Sequence, residues 1–184
     1  MKRLLLVLVA TAAAAFAAAP IAFAAFIQGT HRPETLIGTP EADVVLARGG
    51  DDAVFGRGSP DVLFGQRGND RIRGGWGPDV ASGGRGGDEI SGGHGSDLVS
   101  GRRGADSLTG DTGDDRLFVG WGTDTASGGP GDDVLFALER DGLADTLDCG
   151  PGSDAAFIRA EDSAVNCETS VTLAPSSAAT PENP

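Results

Sequence analysis

Residues 83–101 read GGRGGDEISGGHGSDLVSG, and within them GGRGGDEIS (83–91) runs directly into GGHGSDLVS (92–100). Each nonapeptide opens on paired glycines, carries an aspartate in sixth place and an apolar residue in eighth. Self-similarity at a fixed period decides the fold class before any local reading does. Stepping by nine from Asp88 lands on Asp43, Asp52, Asp61, Asp70, Asp79, Asp88, Asp97, Asp106, Asp115, Asp124 and Asp133 without a miss. Two places later stand Val45, Val54, Leu63, Ile72, Ala81, Ile90, Val99, Leu108, Leu117, Ala126 and Leu135, all apolar. Two places earlier the residue is glycine except at Glu41 and Ser59. The register slips after Phe136, where an insertion around 138–143 delays weaker copies to Asp145 and Asp154.

Each unit divides into a glycine-rich half and an extended half. In GGHGSDLVS, Gly92, Gly93 and Gly95 permit backbone angles closed to other residues, which predicts a tight turn. Leu98, Val99 and Ser100 then form a very short strand in which Val99 alone points inward, because side chains alternate along a strand. One nonapeptide buries nothing by itself. Two make a coil, with strands on opposite walls and a turn at each end. The sequence therefore predicts an all-β parallel β-roll, a two-sheet solenoid of eighteen residues per turn. Six stacked turns at a strand spacing of about 4.8 Å give a rod of roughly 30 Å. Its core is thin, with two side chains per coil and only alanine at Ala81 and Ala126.

Stacking places aspartates eighteen apart above one another. One column holds Asp43, Asp61, Asp79, Asp97, Asp115 and Asp133; the other holds Asp52, Asp70, Asp88, Asp106 and Asp124. Bare carboxylates at that separation repel by about 1 kcal/mol in water and by several at the lower effective dielectric near a protein. A cation between vertical neighbours reverses the sign. Calcium suits the site, since it takes six to eight oxygen ligands in flexible geometry and the turns expose carbonyls beside each carboxylate. Magnesium demands strict octahedral geometry. Zinc lacks its usual ligands here, because His31 and His94 are the only histidines and both cysteines lie beyond the repeat. Aspartate is also a good turn former beside glycine, but that role accepts Asn or Ser, and neither occurs in eleven copies.

GGRGGDEIS and GGHGSDLVS resemble the G-G-x-G-x-D-x-U-x repeat of hemolysin-type, or RTX, calcium-binding proteins over about residues 38–136. The resemblance implies a parallel β-roll with several calcium ions in its turns, held by the eleven aspartates and by turn carbonyls. Some units depart from the pattern: Glu41 and Ser59 replace a glycine, Val119 takes the first place of its unit, Arg102 takes a second place, and another unit opens Ala47-Arg48. Weaker sites are expected there.

The chain is acidic, with a formal charge of −13 over 184 residues. Its first residues carry Lys2 and Arg3, then an alanine-rich apolar run, then Ala22-Phe23-Ala24 at signal-peptidase spacing. That predicts a signal peptide over 1–24 and a secreted, extracellular product. An uncleaved anchor is the other reading of the same run. Cleavage removes the two cations and takes the charge from −13 to −15. Such a chain avoids nucleic acid, whose phosphates repel it, and no other stretch is apolar and long enough to span a membrane. The expected organisation is 1–24 signal peptide, 25–35 lead-in, 36–139 repeats, 140–173 C-terminal cap and 174–184 disordered tail.

In an exported protein Cys149 and Cys167, the only cysteines, are expected to form a disulfide that closes the last coil; free thiols are the alternative. Trp76, His94 and Trp121 occupy third places, exposed in the turn, with the two tryptophans on opposite edges of the rod. Leu46, Phe55, Phe64, Phe118 and Phe136 take outward ninth places, either as an interaction patch or as cover for the ends. No motif of nucleophilic, metalloprotease or phosphate-binding chemistry is present, and no enzyme is expected. The sequence thus points to a calcium-binding protein whose folding is coupled to the metal. A calcium-dependent adhesin or glycan-binding module is the second reading, and a cell-surface or extracellular-matrix partner stays unidentified.

Overall fold

A computed structural model describes residues 24–173. The expected signal peptide and tail fall almost wholly outside these residues. The strands, in chain order, are β1 (Phe26–Gln28), β2 (Thr35–Ile37), β3 (Val44–Leu46), β4 (Ala53–Arg57), β5 (Val62–Arg67), β6 (Arg71–Trp76), β7 (Val80–Arg85), β8 (Glu89–His94) and β9 (Leu98–Arg103). They continue as β10 (Ser107–Thr112), β11 (Arg116–Trp121), β12 (Thr125–Ser127), β13 (Val134–Phe136), β14 (Thr146–Asp148), β15 (Ala155–Ile158), β16 (Ser163–Val165) and β17 (Thr169–Thr172).

Odd-numbered strands build one nine-stranded sheet and even-numbered strands an eight-stranded one, each in strict order along the rod. All pairings are parallel, and from β1 to β13 the register moves by eighteen residues per coil, as in Ile72↔Ile90 and Leu63↔Ala81. The chain is therefore a β-roll of about eight turns. The turns outnumber the six expected because β1, β2 and the strands after the insertion join the same two sheets. The loop 138–143 lengthens one coil: the amide of Asp124 meets Asp145, twenty-one residues on, instead of eighteen.

The eighth-place residues meet between the sheets. Val45, Val54, Leu63, Ile72, Val99, Leu117 and Leu135 are fully buried. Burying an aliphatic side chain contributes about 1.5–3 kcal/mol, and each coil has two. In the central coils the strands run six residues rather than three, continuing from the seventh place through the third place of the next unit. First-place residues consequently also face the interior. Where that residue is Ala47, Val119, Ala137 or Cys149, its side chain joins the core.

Fourth-place glycines are required twice over. Gly86, Gly104 and Gly122 have φ of 122°, 133° and 146°, in the left-handed region. A Cβ on any of them would also collide with the carbonyl of the glycine one coil earlier. The turn carbonyls thus stand in columns aimed along the rod.

Cys149 and Cys167 form a disulfide, with Cα atoms 5.2 Å apart. Cys149 directly follows β14 and Cys167 closely follows β16, the neighbouring strand of the same sheet, so the bond joins successive coils along the rod axis. The outward aromatics toward the C-terminal end stack face to face: Phe118 on Phe136 at 4.5 Å and Phe136 on Phe157 at 5.2 Å. Trp76 ends β6 and Trp121 ends β11, so they lie on different sheets. Trp76 stacks on His94, whose Nδ1 lies 2.6 Å from Thr112 Oγ1.

Candidate metal centre

All eleven repeat aspartates are buried, none more than 3 % exposed. They stand in the two columns that the eighteen-residue spacing dictates. Each carboxylate bonds along its column: Oδ1 accepts the backbone N–H of the aspartate one coil earlier, or, for Asp43 and Asp52, that of Ala25 and Glu34. The amide of Asp61 donates to Asp79, that of Asp79 to Asp97 and that of Asp97 to Asp115, each at 2.7 Å. In the second column the amides of Asp52, Asp70 and Asp88 donate to Asp70, Asp88 and Asp106 at 2.8 Å.

The columns extend past the regular repeat. The amide of Asp133 donates to Asp154 Oδ1 at 2.7 Å, and Asp145 accepts from Asp124. Asp162 and Glu168 then supply the last acceptors, for the amides of Asp145 and Asp154. Sequence reasoning left Asp145 and Asp154 as weak copies and did not foresee Asp162 or Glu168. The turns before these last two are shortened and keep no glycine pattern, so only the alternation of the strands that follow could have placed them.

The second oxygen is what sets these residues apart. Oδ2 of Asp52, Asp61, Asp70, Asp79, Asp88, Asp97, Asp106, Asp115, Asp124, Asp133 and Asp154 is buried with no hydrogen-bond partner. An unpartnered buried polar atom costs about 1–3 kcal/mol, and more when it is charged. Asp43 differs: its Oδ2 accepts the Thr39 N–H at 2.5 Å, with the Thr39 hydroxyl at 3.1 Å. Thr39 stands in second place, where Gly75, Gly84, Gly93, Gly120 and Gly129 stand in other units, so this first turn is already satisfied on its own.

Where the first place is glycine, the carboxylate lies close against the bare backbone. A Cβ added to Gly56, Gly74, Gly83, Gly92 or Gly110 would strike Oδ2 of the aspartate five residues on. At Gly56, Gly74, Gly92 and Gly110 it would also strike the first-place carbonyl of the next coil, as Gly74 O does for Gly56. Carboxylate and carbonyl oxygens thus converge beside a backbone that has no side chain.

Burial raises the pKa of Asp52, Asp61, Asp79, Asp88, Asp106, Asp115 and Asp133, and the charges of vertical neighbours raise it further. The amide hydrogen bond acts in the opposite sense. Asp79, Asp88 and Asp115 are pushed from 3.8 up to about 7, and Asp61 and Asp106 up to about 6. Asp70, Asp97 and Asp124 are raised as well. A buried column of acids that resists ionisation alone is one that a cation would stabilise.

The donor set fits a hard divalent cation. Among the described residues no three His, Cys, Asp or Glu side chains gather at one point. A thiolate or imidazole metal therefore finds no cage, while an ion that takes carboxylates together with backbone carbonyls finds both in register. The residues that would hold calcium are the column aspartates and the carbonyls of the glycine turns; bound there, the ion supplies the positive charge the bare Oδ2 atoms lack.

No curated protein matches the chain. The family model of the RTX calcium-binding nonapeptide repeat matches it four times, over residues 29–63, 49–81, 73–108 and 100–135. These stretches overlap into one block covering more than half of the sequence. Repeats of that kind bind several calcium ions, and with its two sheets wound from them the chain belongs to the RTX calcium-binding nonapeptide repeat family.

Proposed function

We propose that the chain is a secreted calcium-binding protein whose folding is coupled to filling the turns with calcium at the column aspartates, and that it acts by binding rather than by catalysis. The observation that carries this reading is the row of buried Oδ2 atoms without partners. A fold that leaves so many acids bare is stabilised by whatever binds the folded form alone, and metal affinity of this kind becomes folding free energy. Modules that work at extracellular calcium bind it at about 10⁻⁴–10⁻³ M. At cytosolic calcium the chain would remain unfolded and exportable, and outside it would fold. The apolar leader with its Ala22-Phe23-Ala24 site supports the export step.

The test is a calcium titration of the mature chain, followed by circular dichroism and tryptophan fluorescence. Calcium should induce β structure, EDTA should reverse it, and magnesium at equal concentration should not substitute. Replacing Asp88 and Asp106 together by Ala should raise the calcium midpoint several-fold. An unchanged midpoint removes these residues from the ligand set, and a chain fully ordered in EDTA defeats the coupling.

A further inference from the structure

The outward surface of the nine-stranded sheet carries a feature that calcium binding does not use. Between β5 and β9 a cavity of about 440 Å³ opens beside Phe64 and Ser82. Four arginines line it: Arg67, Arg85, Arg102 and Arg103. No acidic side chain lines it, although the chain as a whole carries −13. Arg67, Arg85 and Arg103 sit in direct register on adjacent odd strands, one strand spacing of about 4.8 Å apart. Like charges placed opposite one another destabilise a sheet. Among the described residues none of the three has a carboxylate partner; the Arg71–Glu89 salt bridge lies on the other sheet.

The floor of the cavity is built to hold one of these cations in place. Arg102 Nε donates to the Ser82 hydroxyl at 2.6 Å, and Ser82 is itself only 5 % exposed. Arg102 and Gln66 occupy second places with φ of 81° and 80°, where the neighbouring coils use Gly84 and Gly120. The same left-handed second-place backbone recurs at Arg48, Arg57 and Asp111, so it is a property of the roll that here presents Gln66 and Arg102 to the cavity. In ninth place the order Phe64, Ser82, Ser100, Phe118 leaves a dip of small residues between two aromatic rings, about three strand spacings or roughly 14 Å long.

We propose that this groove binds a short acidic oligosaccharide segment bearing sulfate or carboxylate groups. Guanidinium groups grip such oxyanions through paired N–H donors. The arginine ladder would meet successive anionic groups along one edge of the ligand. Phe64 presents an apolar face to a sugar ring, and the Ser82–Ser100 dip leaves the ring room to lie flat. The anions would relieve the repulsion among the arginines, which no carboxylate among the described residues does. This reading stands apart from the calcium sites, which lie inside the columns.

The test uses the full mature chain, folded in millimolar calcium, with Trp76→Phe so that Trp121, in register with Arg103, reports alone. The probes are a heparin tetrasaccharide, an oligogalacturonate, a neutral cello-oligosaccharide and inorganic tripolyphosphate, each at fixed free calcium. The acidic sugars should bind, more weakly as salt rises, and the neutral sugar should not. Arg85→Glu with Arg103→Glu should weaken binding by about tenfold or more, with Arg85→Gln/Arg103→Gln intermediate. Arg73→Glu, on the opposite sheet, should leave affinity unchanged. Equal affinity in the Arg85/Arg103 variants overturns the site, because the acid would then be bridging through calcium. Tripolyphosphate binding as tightly as the sugars overturns the carbohydrate assignment. Absence of binding by a chain that still shows its calcium-dependent circular dichroism overturns the groove and leaves the calcium reading standing.

Discussion

The repeat coils and the C-terminal coils continue the same two sheets and the same aspartate columns, yet they close their corners by different means. Through β4 to β12 most first places are glycine and the column carboxylates leave Oδ2 bare. From Ala137 onward the first places hold Ala137, Cys149 and Ile158, all buried in the core, and two of the turns shrink. There the amide ladders end on Asp162 and Glu168, and Cys149 is bonded to Cys167. One region exchanges apolar volume for carboxylates that call for an ion. The other keeps apolar volume and adds a covalent bond. The contrast is one of degree, since Asp52, Asp124 and Asp154 keep a bare Oδ2 although Ala47, Val119 and Cys149 fill the first places of their units.

The sharpest break of that comparison is chelation. In EDTA at neutral pH, amide-hydrogen exchange should lose all protection across 53–127, while residues 146–172 keep a measurable part of theirs. Simultaneous loss at the same free calcium would show that the two regions are not separately stabilised.

Acid should partly replace the metal. The raised pKa values mean that the folded chain holds more protons than the unfolded chain between about 3.8 and about 7. Stability of the metal-free fold is therefore fully present below that window and is lost as pH rises through it. Each carboxylate forced to ionise in place costs on the order of a few kcal/mol. In EDTA the β-sheet dichroism should grow as pH falls from 8 to 5. With calcium present the apparent affinity should move the other way, rising with pH as protons cease to compete. A metal-free dichroism that is flat from pH 8 to 5 would contradict the burial of charge described here.

Replacing Cys149 and Cys167 together by Ser should cost about 3 kcal/mol, the loop entropy of a cross-link of this span. The loss should appear in the C-terminal coils and leave the calcium midpoint of the repeat coils nearly unchanged, read by hydrogen exchange over β14–β17 and by calcium titration of the Trp76 signal.

The smallest and most discriminating effect comes from one column residue. Asp88→Ala orphans the Asp70 amide and should destabilise by about 1–3 kcal/mol with or without calcium. Asp88→Asn retains an acceptor oxygen and removes the charge. It should stabilise the metal-free form while raising the calcium midpoint. Equal signs for Asn with and without calcium would remove the ionic role from this position.

The fold and the column aspartates were legible because the nonapeptide period places one apolar and one acidic residue per unit in fixed relation to the turn. The ladder of amide-to-carboxylate bonds was not, since a repeating aspartate reads the same whether it faces an ion, an amide or both. Asp43 illustrates this: it matches the pattern, but Thr39 satisfies its Oδ2. The C-terminal columns escaped because the loop at 138–143 and the short turns before Asp162 and Glu168 destroy the spacing while the strand register survives. The arginine groove escaped for another reason. A period of nine describes the core, whereas outward side chains repeat only every eighteen, so Arg67, Arg85 and Arg103 fall into line only once alternate units are assigned to one sheet.

The Cys149–Cys167 bond joins successive coils and leaves the two sheets without a covalent link. It acts as a rivet through the last windings of a spring, and the opposite end of the described rod has none. Under tension or protease the windings should part from the N-terminal side and stop at the rivet, so the protein would fail in one direction and leave behind a short, closed remnant.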